Sequence, residues 1–356
     1  MKKLLASGSS AAAKLEAEIA RLACERYEGF LAGITRYCNS PVKRTLKTPP
    51  AIWQDGSTRL LDFGKKGEVV LVIPSLVNRY HVLDLSEDVS FVRDLAARGF
   101  HPLLVDWDVP AAKEQKFTID DYMRRLLAML EKAVELNKGP VPVIGYCMGG
   151  MLAAALAQLA PDKIAKLMFL ATPWDFHAGD KHEGKRMQDI MNHLQPMFEE
   201  WMEVPVDTLH SFFILQQPFA VIEKFRRFGE MAEDSVAARD FVILEDWVND
   251  GVPLSKPVGH VCLNGWYVQN ITYRGKWEVM GVCVNPANLP QPSLHVIPAR
   301  DRIVPPESAA ALARLMPRAK TLKPAFGHVS MMSHAEAKER LWPKLFDWLA
   351  STPPPK

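Results

Sequence analysis

A chain of 356 residues is long enough for one large domain or two ordinary ones, and 48% hydrophobic residues suit a substantial buried core. A formal net charge of +2 leaves no basic stripe and no acidic tail, which argues against a nucleic-acid partner. Five cysteines, an odd number without CxxC spacing, do not make a disulfide framework, so a reducing cytoplasmic setting is expected.

The start, Met1-Lys2-Lys3-Leu4-Leu5, mimics a signal peptide, but Lys14, Glu16 and Glu18 leave its apolar core too short for export. No apolar run reaches membrane-spanning length. Leu15, Ile19, Leu22 and Tyr27 recur at helical intervals and predict an amphipathic helix or helix pair over 11–38. A Pro-containing stretch at 41–50 closes an N-terminal helical segment, 1–50. A sheet-like section follows, in which Glu68 to Pro74 reads as a buried strand, 87–98 as a helix and His101 to Trp107 as the next strand. Ile119 to Asn137 predicts a long helix with an apolar stripe at Tyr122, Leu126, Leu127, Leu130 and Val134.

That helix leads into Val143-Ile144-Gly145-Tyr146-Cys147-Met148-Gly149-Gly150, a strand, a sharp turn and a helix with Cys147 where a hydrolase carries serine. Gly145 and Gly149 let the backbone close around a nucleophile held in a strained conformation, and the following helix N-terminus favours a thiolate. By itself the pattern equally describes a glycine-flanked buried cysteine. Ile164 to Ala171 reads as another strand. Strands alternating with helices predict a mostly parallel, doubly wound α/β sheet.

Residues 173–285 change texture. They carry Trp174, Trp201, Phe212, Phe213, Phe219, Phe225, Phe228, Trp247, Trp266, Tyr267 and Trp277 without clean strand–helix alternation. The segment 173–290 is read as a cap or lid on a catalytic core of 51–172 and 291–350, its aromatics mostly forming the cap's own core. The core resumes with an apolar strand through Leu294 to Ala299 that opens on Asp301, and Ala325-Phe326-Gly327-His328 places a histidine in a short loop. An acid in such a turn is often only a cap or turn former. The chain order nucleophile, acid, histidine is nevertheless that of the α/β-hydrolases. The expected triad is Cys147, Asp301 and His328. His260 and His334 have no partners at metal-ligand spacing, so no metal is expected. Asp106 and Trp107 read as scaffold, and Asp175 as a helix cap. The last residues, from Ser351 to Lys356, read as a frayed tail.

The chain also resembles the polyhydroxyalkanoate synthases. The residues that carry the likeness are Val72-Ile73-Pro74-Ser75-Leu76-Val77-Asn78-Arg79-Tyr80 with Leu83-Asp84-Leu85, Val105 to Pro110, Gly145 to Gly150, and Ala171-Thr172-Pro173-Trp174-Asp175-Phe176. The Asp301 strand and Gly327-His328 complete them. The resemblance implies an α/β-hydrolase fold with a large cap and a cytoplasmic, granule-associated acyltransferase that polymerises 3-hydroxyacyl-CoA. Its partners would be the polyester chain, a second copy and a helical partner subunit, with acyl-CoA as substrate and no cofactor. Cys147 would accept the acyl group, His328 act as base and Asp301 orient it. The backbone N–H groups of Met148 and Val77 would form the oxyanion hole. Asn78 and Arg79 are substrate-binding candidates; Arg79 meets a CoA phosphate or is simply solvated or salt-bridged. Cap fragments such as Leu244-Glu245-Asp246-Trp247 match only in part. Two other readings stay open: a hydrolase on the same scaffold, as thioesterase or intracellular depolymerase, and a granule or subunit-interaction protein whose catalysis is lost.

Overall fold

The computed structural model describes residues 10–64, 66–178, 182–200, 203–206, 208 and 218–351. The signal-like start Met1 to Leu5, the cap aromatics Trp201, Phe212 and Phe213, and the tail beyond Ser351 lie outside the described residues. In chain order the first half holds helix α1 (Ser10–Cys38), strands β1 (Ala51–Asp55), β2 (Thr58–Asp62) and β3 (Val69–Ile73), and helix α2 (Phe91–Ala97). Strand β4 (His101–Asp106), helix α3 (Ile119–Asn137), strand β5 (Val141–Tyr146), helix α4 (Met148–Leu159) and strand β6 (Ile164–Leu170) complete it. Then come helices α5 (Glu183–Glu200), α6 (Pro218–Glu230) and α7 (Val236–Asn249), strand β7 (Ser293–Val296), helix α8 (Pro306–Leu315), strand β8 (Ala319–Leu322) and helix α9 (Trp342–Ala350).

The chain forms two compact units, one of Met1–Arg44 with His210–Asp246 and one of Thr45–Leu209 with Trp247–Lys356. The larger unit is built on one eight-stranded sheet in the order β1-β2-β4-β3-β5-β6-β7-β8. Only β1/β2 and β2/β4 are antiparallel. Strands β3 and β5 are buried at every residue, as continuous apolar runs in a sheet covered on both faces must be. The chain leaves β3 for β4 on one side and returns to β5 on the other. That reversal opens a crevice at the strands' carboxyl ends, where α/β folds place ligands. The ends are level there, since Ile73 pairs with Gly145, Tyr146 with Leu170, and Leu170 with Val296.

Helix α3 starts where the Asp121 carboxylate takes the Thr118 N–H at 2.8 Å and stops at Lys138, whose φ is 59°. Tyr122, Leu126 and Leu130 of the expected stripe are buried; Leu127 and Val134 lie at its margin. Helix α2 begins later than expected because Ser90 caps it at the Arg93 N–H, 3.2 Å. Buried Asp84 fixes that cap by accepting from Ser90 Oγ at 2.6 Å and Arg93 Nε at 2.7 Å.

Between β6 and β7 the larger unit holds α5, a π-helical stretch over Val261–Val268 and two-residue strand pairs. Trp174, Trp266 and Trp277 pack edge to face with centroids 5.7–6.0 Å apart. They share one core with Met148 and Met151 of α4. In the smaller unit, α1 and α6 approach so closely that a Cβ on Gly33 would lie 1.9 Å from the Phe225 carbonyl oxygen. Arg36 then donates to the carbonyls of Phe228 (2.8 Å) and Met231 (2.6 Å). Contact is made by the second half of α1, so the stripe read from Leu15, Ile19, Leu22 and Tyr27 is exposed instead. All five cysteines are free, and among the described residues no helix is long and apolar enough to cross a membrane.

Candidate active site

Cys147 stands between the end of β5 and the first turn of α4, with φ 54° and ψ −126°. This conformation is costly for a residue with a side chain and persists only where neighbours enforce it. Two contacts do so: the Cys147 N–H donates to the Leu170 carbonyl at 2.8 Å, and its carbonyl takes the Gly150 N–H at 2.9 Å. The flanking glycines are needed for closeness rather than for an unusual φ. A Cβ on Gly145 would lie 2.4 Å from the Gly150 Cα, and one on Gly149 would lie 2.1 Å from the Ile73 carbonyl oxygen.

Asp301 follows β7 and is fixed by its own turn, where one carboxylate oxygen accepts the N–H groups of Ile303 (2.9 Å) and Val304 (2.8 Å). Its other oxygen accepts from His328 Nδ1 at 2.7 Å. Both side chains are buried. With Nδ1 engaged, the imidazole's second nitrogen is the one left to serve the Cys147 thiol. Burial works against a charged ring, but the neighbours Cys147 and Asp301 outweigh it and hold His328 up at about 10 instead of 6.5. Tyr146 steadies the histidine loop: its hydroxyl donates to the His328 carbonyl at 3.2 Å, and the two rings lie 5.2 Å apart.

Met148 is the first residue of α4, so its N–H belongs to a helical turn with no intrahelical acceptor. The Val77 N–H donates to Ser75 Oγ at 3.2 Å, while its carbonyl takes the Val252 N–H at 2.8 Å. Asn78 forms an isolated bridge with Gly251. Arg79 is salt-bridged, with Nη1 on Asp108 at 2.8 Å and Nε on Asp250 at 2.6 Å. The fold therefore brings Cys147 into one site with the hydrogen-bonded pair His328 and Asp301, and sets Val77, Asn78 and Arg79 on the loop that leaves β3. Asp106 pairs with Arg59 at 2.6 Å and Trp107 donates to the Pro74 carbonyl at 3.1 Å, both as scaffold. Asp175 caps a turn instead of a helix, accepting from the His177 N–H (3.0 Å) and Asn270 Nδ2 (2.8 Å). The roles of Tyr146, Trp247 and Asp250 could not be read from the sequence, because their partners are remote in the chain. Among the described residues no three His, Cys, Asp or Glu side chains gather as metal ligands.

The model of the alpha/beta hydrolase fold family matches residues 47–203. A poly(3-hydroxyalkanoate) polymerase subunit PhaC of Haloferax mediterranei is 28% identical over 85% of this chain. The match spans 64% of that protein, under two thirds of its length. The subunit of the same name from Allochromatium vinosum is 25% identical over 79% of this chain and 80% of its own. Among solved structures, an alpha/beta hydrolase fold protein from Nakamurella multipartita superimposes with a TM-score of 0.51 at 15% identity, covering 86% of this chain and 99% of its own; it speaks for the fold alone. The chain thus has the α/β-hydrolase fold and is similar, over most of its length, to the polyhydroxyalkanoate polymerase subunits.

Proposed function

We propose that this chain is the catalytic subunit of an acyltransferase that polymerises 3-hydroxyacyl-CoA into polyhydroxyalkanoate through an acyl thioester on Cys147. The observation that carries the reading is a cysteine at the strained elbow, in the same site as a buried histidine that Asp301 holds at 2.7 Å. The thiolate attacks the acyl-CoA carbonyl, and the developing oxyanion is met by the N–H groups of Met148 and Val77. CoA leaves as the thiol, taking the proton from His328. The hydroxyl of a monomer or chain end then gives its proton to His328 and attacks the Cys147 thioester, forming an ester and restoring the thiolate. Acyl-CoA is the substrate and no cofactor is needed for this balance.

A thioester intermediate stays reactive toward hydroxyl acceptors, and burial of His328 and Asp301 favours transfer over hydrolysis by keeping water away. The relatives' description as polymerase subunits supports a partner, either a helical subunit or a second copy. The working place of such an enzyme is the polymer granule surface in the cytoplasm.

The test is CoA release from 3-hydroxybutyryl-CoA with product analysis and a Cys147→Ala control, run with and without the helical subunit of a related enzyme. Expected are CoA release, ester-linked oligomer and loss of both in Cys147→Ala. Free 3-hydroxybutyrate as sole product would make the chain a hydrolase. CoA-independent release of hydroxy acid from purified polymer would make it a depolymerase.

A further inference from the structure

The loop that leaves β3 is tied down along its length, and its ties reach far along the chain. Trp107 Nε1 holds the Pro74 carbonyl at 3.1 Å. The Val252 N–H holds the Val77 carbonyl at 2.8 Å, Gly251 bridges Asn78, and Trp247 Nε1 holds the Arg79 carbonyl at 2.7 Å. The Arg79 guanidinium completes the set, between Asp250 on the returning segment and Asp108 on the loop after β4. Asp108 itself has φ 52°, and its carboxylate also takes the Val109 N–H at 2.8 Å. An arginine flanked by two carboxylates is a poor receptor for a phosphate, which both would repel.

The same loop carries Val77, whose N–H rests on Ser75 Oγ at 3.2 Å, the long end of the hydrogen-bond range. A developing oxyanion is a stronger acceptor than that hydroxyl, so the N–H is recruited at little cost if the loop stays in place. We propose that Arg79, clamped by Asp250 and Asp108, is a positioning residue that fixes the oxyanion loop, and that the segment Trp247 to Val252 is a working part of the acyl-transfer site. The proposal rests on the acyltransferase reading above. A loosened clamp leaves substrate binding intact and misplaces the Val77 donor in the transition state, so kcat falls while KM holds.

The test compares Asp250→Asn, Arg79→Gln, Arg79→Lys and the Arg79→Gln/Asp250→Asn double variant of the whole chain. Two substrates are used: 3-hydroxybutyryl-CoA and 3-hydroxybutyryl-pantetheine, which lacks the nucleotide phosphates. Arg79→Gln and Asp250→Asn are each expected to lower kcat about tenfold on both substrates with KM unchanged. The double variant should lose no more than either, and Arg79→Lys should recover part of the loss. A rise in KM confined to the CoA substrate in Arg79→Gln, with Asp250→Asn silent, would overturn the proposal in favour of a phosphate contact. Independent losses that multiply in the double variant would overturn it too.

Amide hydrogen exchange gives a readout that needs no turnover. Asp250→Asn should speed exchange at Val77 and Val252 about tenfold or more without changing 141–146. Unchanged exchange would refute the clamp, whereas a wild type that turns over no acyl thioester would refute the acyltransferase reading and leave this measurement to decide the clamp.

Discussion

Two buried histidines in this chain have opposite surroundings. His295 lies inside β7, stacked on Phe169 and hydrogen-bonded to the Ser293 hydroxyl, and burial pushes it down to about 3. His328 lies beside Asp301 and Cys147, which outweigh its burial and hold it at about 10. Nitrogen-15 NMR of histidine-labelled protein should show His328 doubly protonated, and His295 neutral, from pH 6 to 8. Each of the two neighbours raises the imidazole, so the His328 midpoint should fall in both Cys147→Ala and Asp301→Asn. An unmoved midpoint would break the grouping of Cys147, His328 and Asp301 in one site. Gly149 poses a steric question at the same scale, because its Cβ would meet the backbone oxygen of Ile73, which has no rotamer to yield. Gly149→Ala should cost about 3 kcal/mol, read as a lower urea midpoint at constant m. Cys147, Asp301 and His328 were all legible from residues beside them in the chain, as a glycine-bracketed turn, a strand end and a glycine–histidine loop. The Arg79 partners were not, since Asp250 lies 171 residues away.

Among the elements, those with a strong local pattern were the readable ones. Strand β3 is five apolar residues in a row, and α3 repeats its apolar face over five turns between a Thr118 start and a Lys138-Gly139 stop. Strand β8 leaves no apolar run in the sequence, because it is an edge strand whose central Lys320 and Thr321 are both exposed. The β1–β2 hairpin is held from outside its own sequence. Buried Arg125 of α3 reaches Thr58 at 2.8 Å and pairs with buried Glu114 at 2.6 Å, and Glu114 also accepts the Ser57 N–H. Burial alone would raise Glu114; its bonds to Ser57 and Arg125 win and hold it at about 2, below the usual 4.5. A lowered folded value means stability present above about 4.5 and lost as pH falls through about 2. Denaturation against pH should show a shallower acid slope in Glu114→Gln than in the wild type. Glu114→Ala, which strands a buried guanidinium, should cost about 3–5 kcal/mol.

At the scale of the whole molecule, the doubly wound sheet followed from the alternation of strands and helices, but the partnership of α1 with α6 did not. It joins segments nearly two hundred residues apart through Gly33, a residue whose role is to be absent of side chain. Gly33→Leu should force the two helices apart, seen as faster proteolysis within residues 10–44 and reduced helical ellipticity. The clamp on the β3 loop bears on protein engineering. Exchanging the region between β6 and β7 among relatives is an obvious way to seek new acyl-chain preferences. A graft whose downstream junction falls after Val252 would carry away the Asp250 carboxylate, the Trp247 indole and the Val252 amide, and leave Arg79 with half its tether. A junction placed before Trp247 exports the variable part and keeps those groups with the scaffold they hold, so chimeras cut there should outperform those cut later.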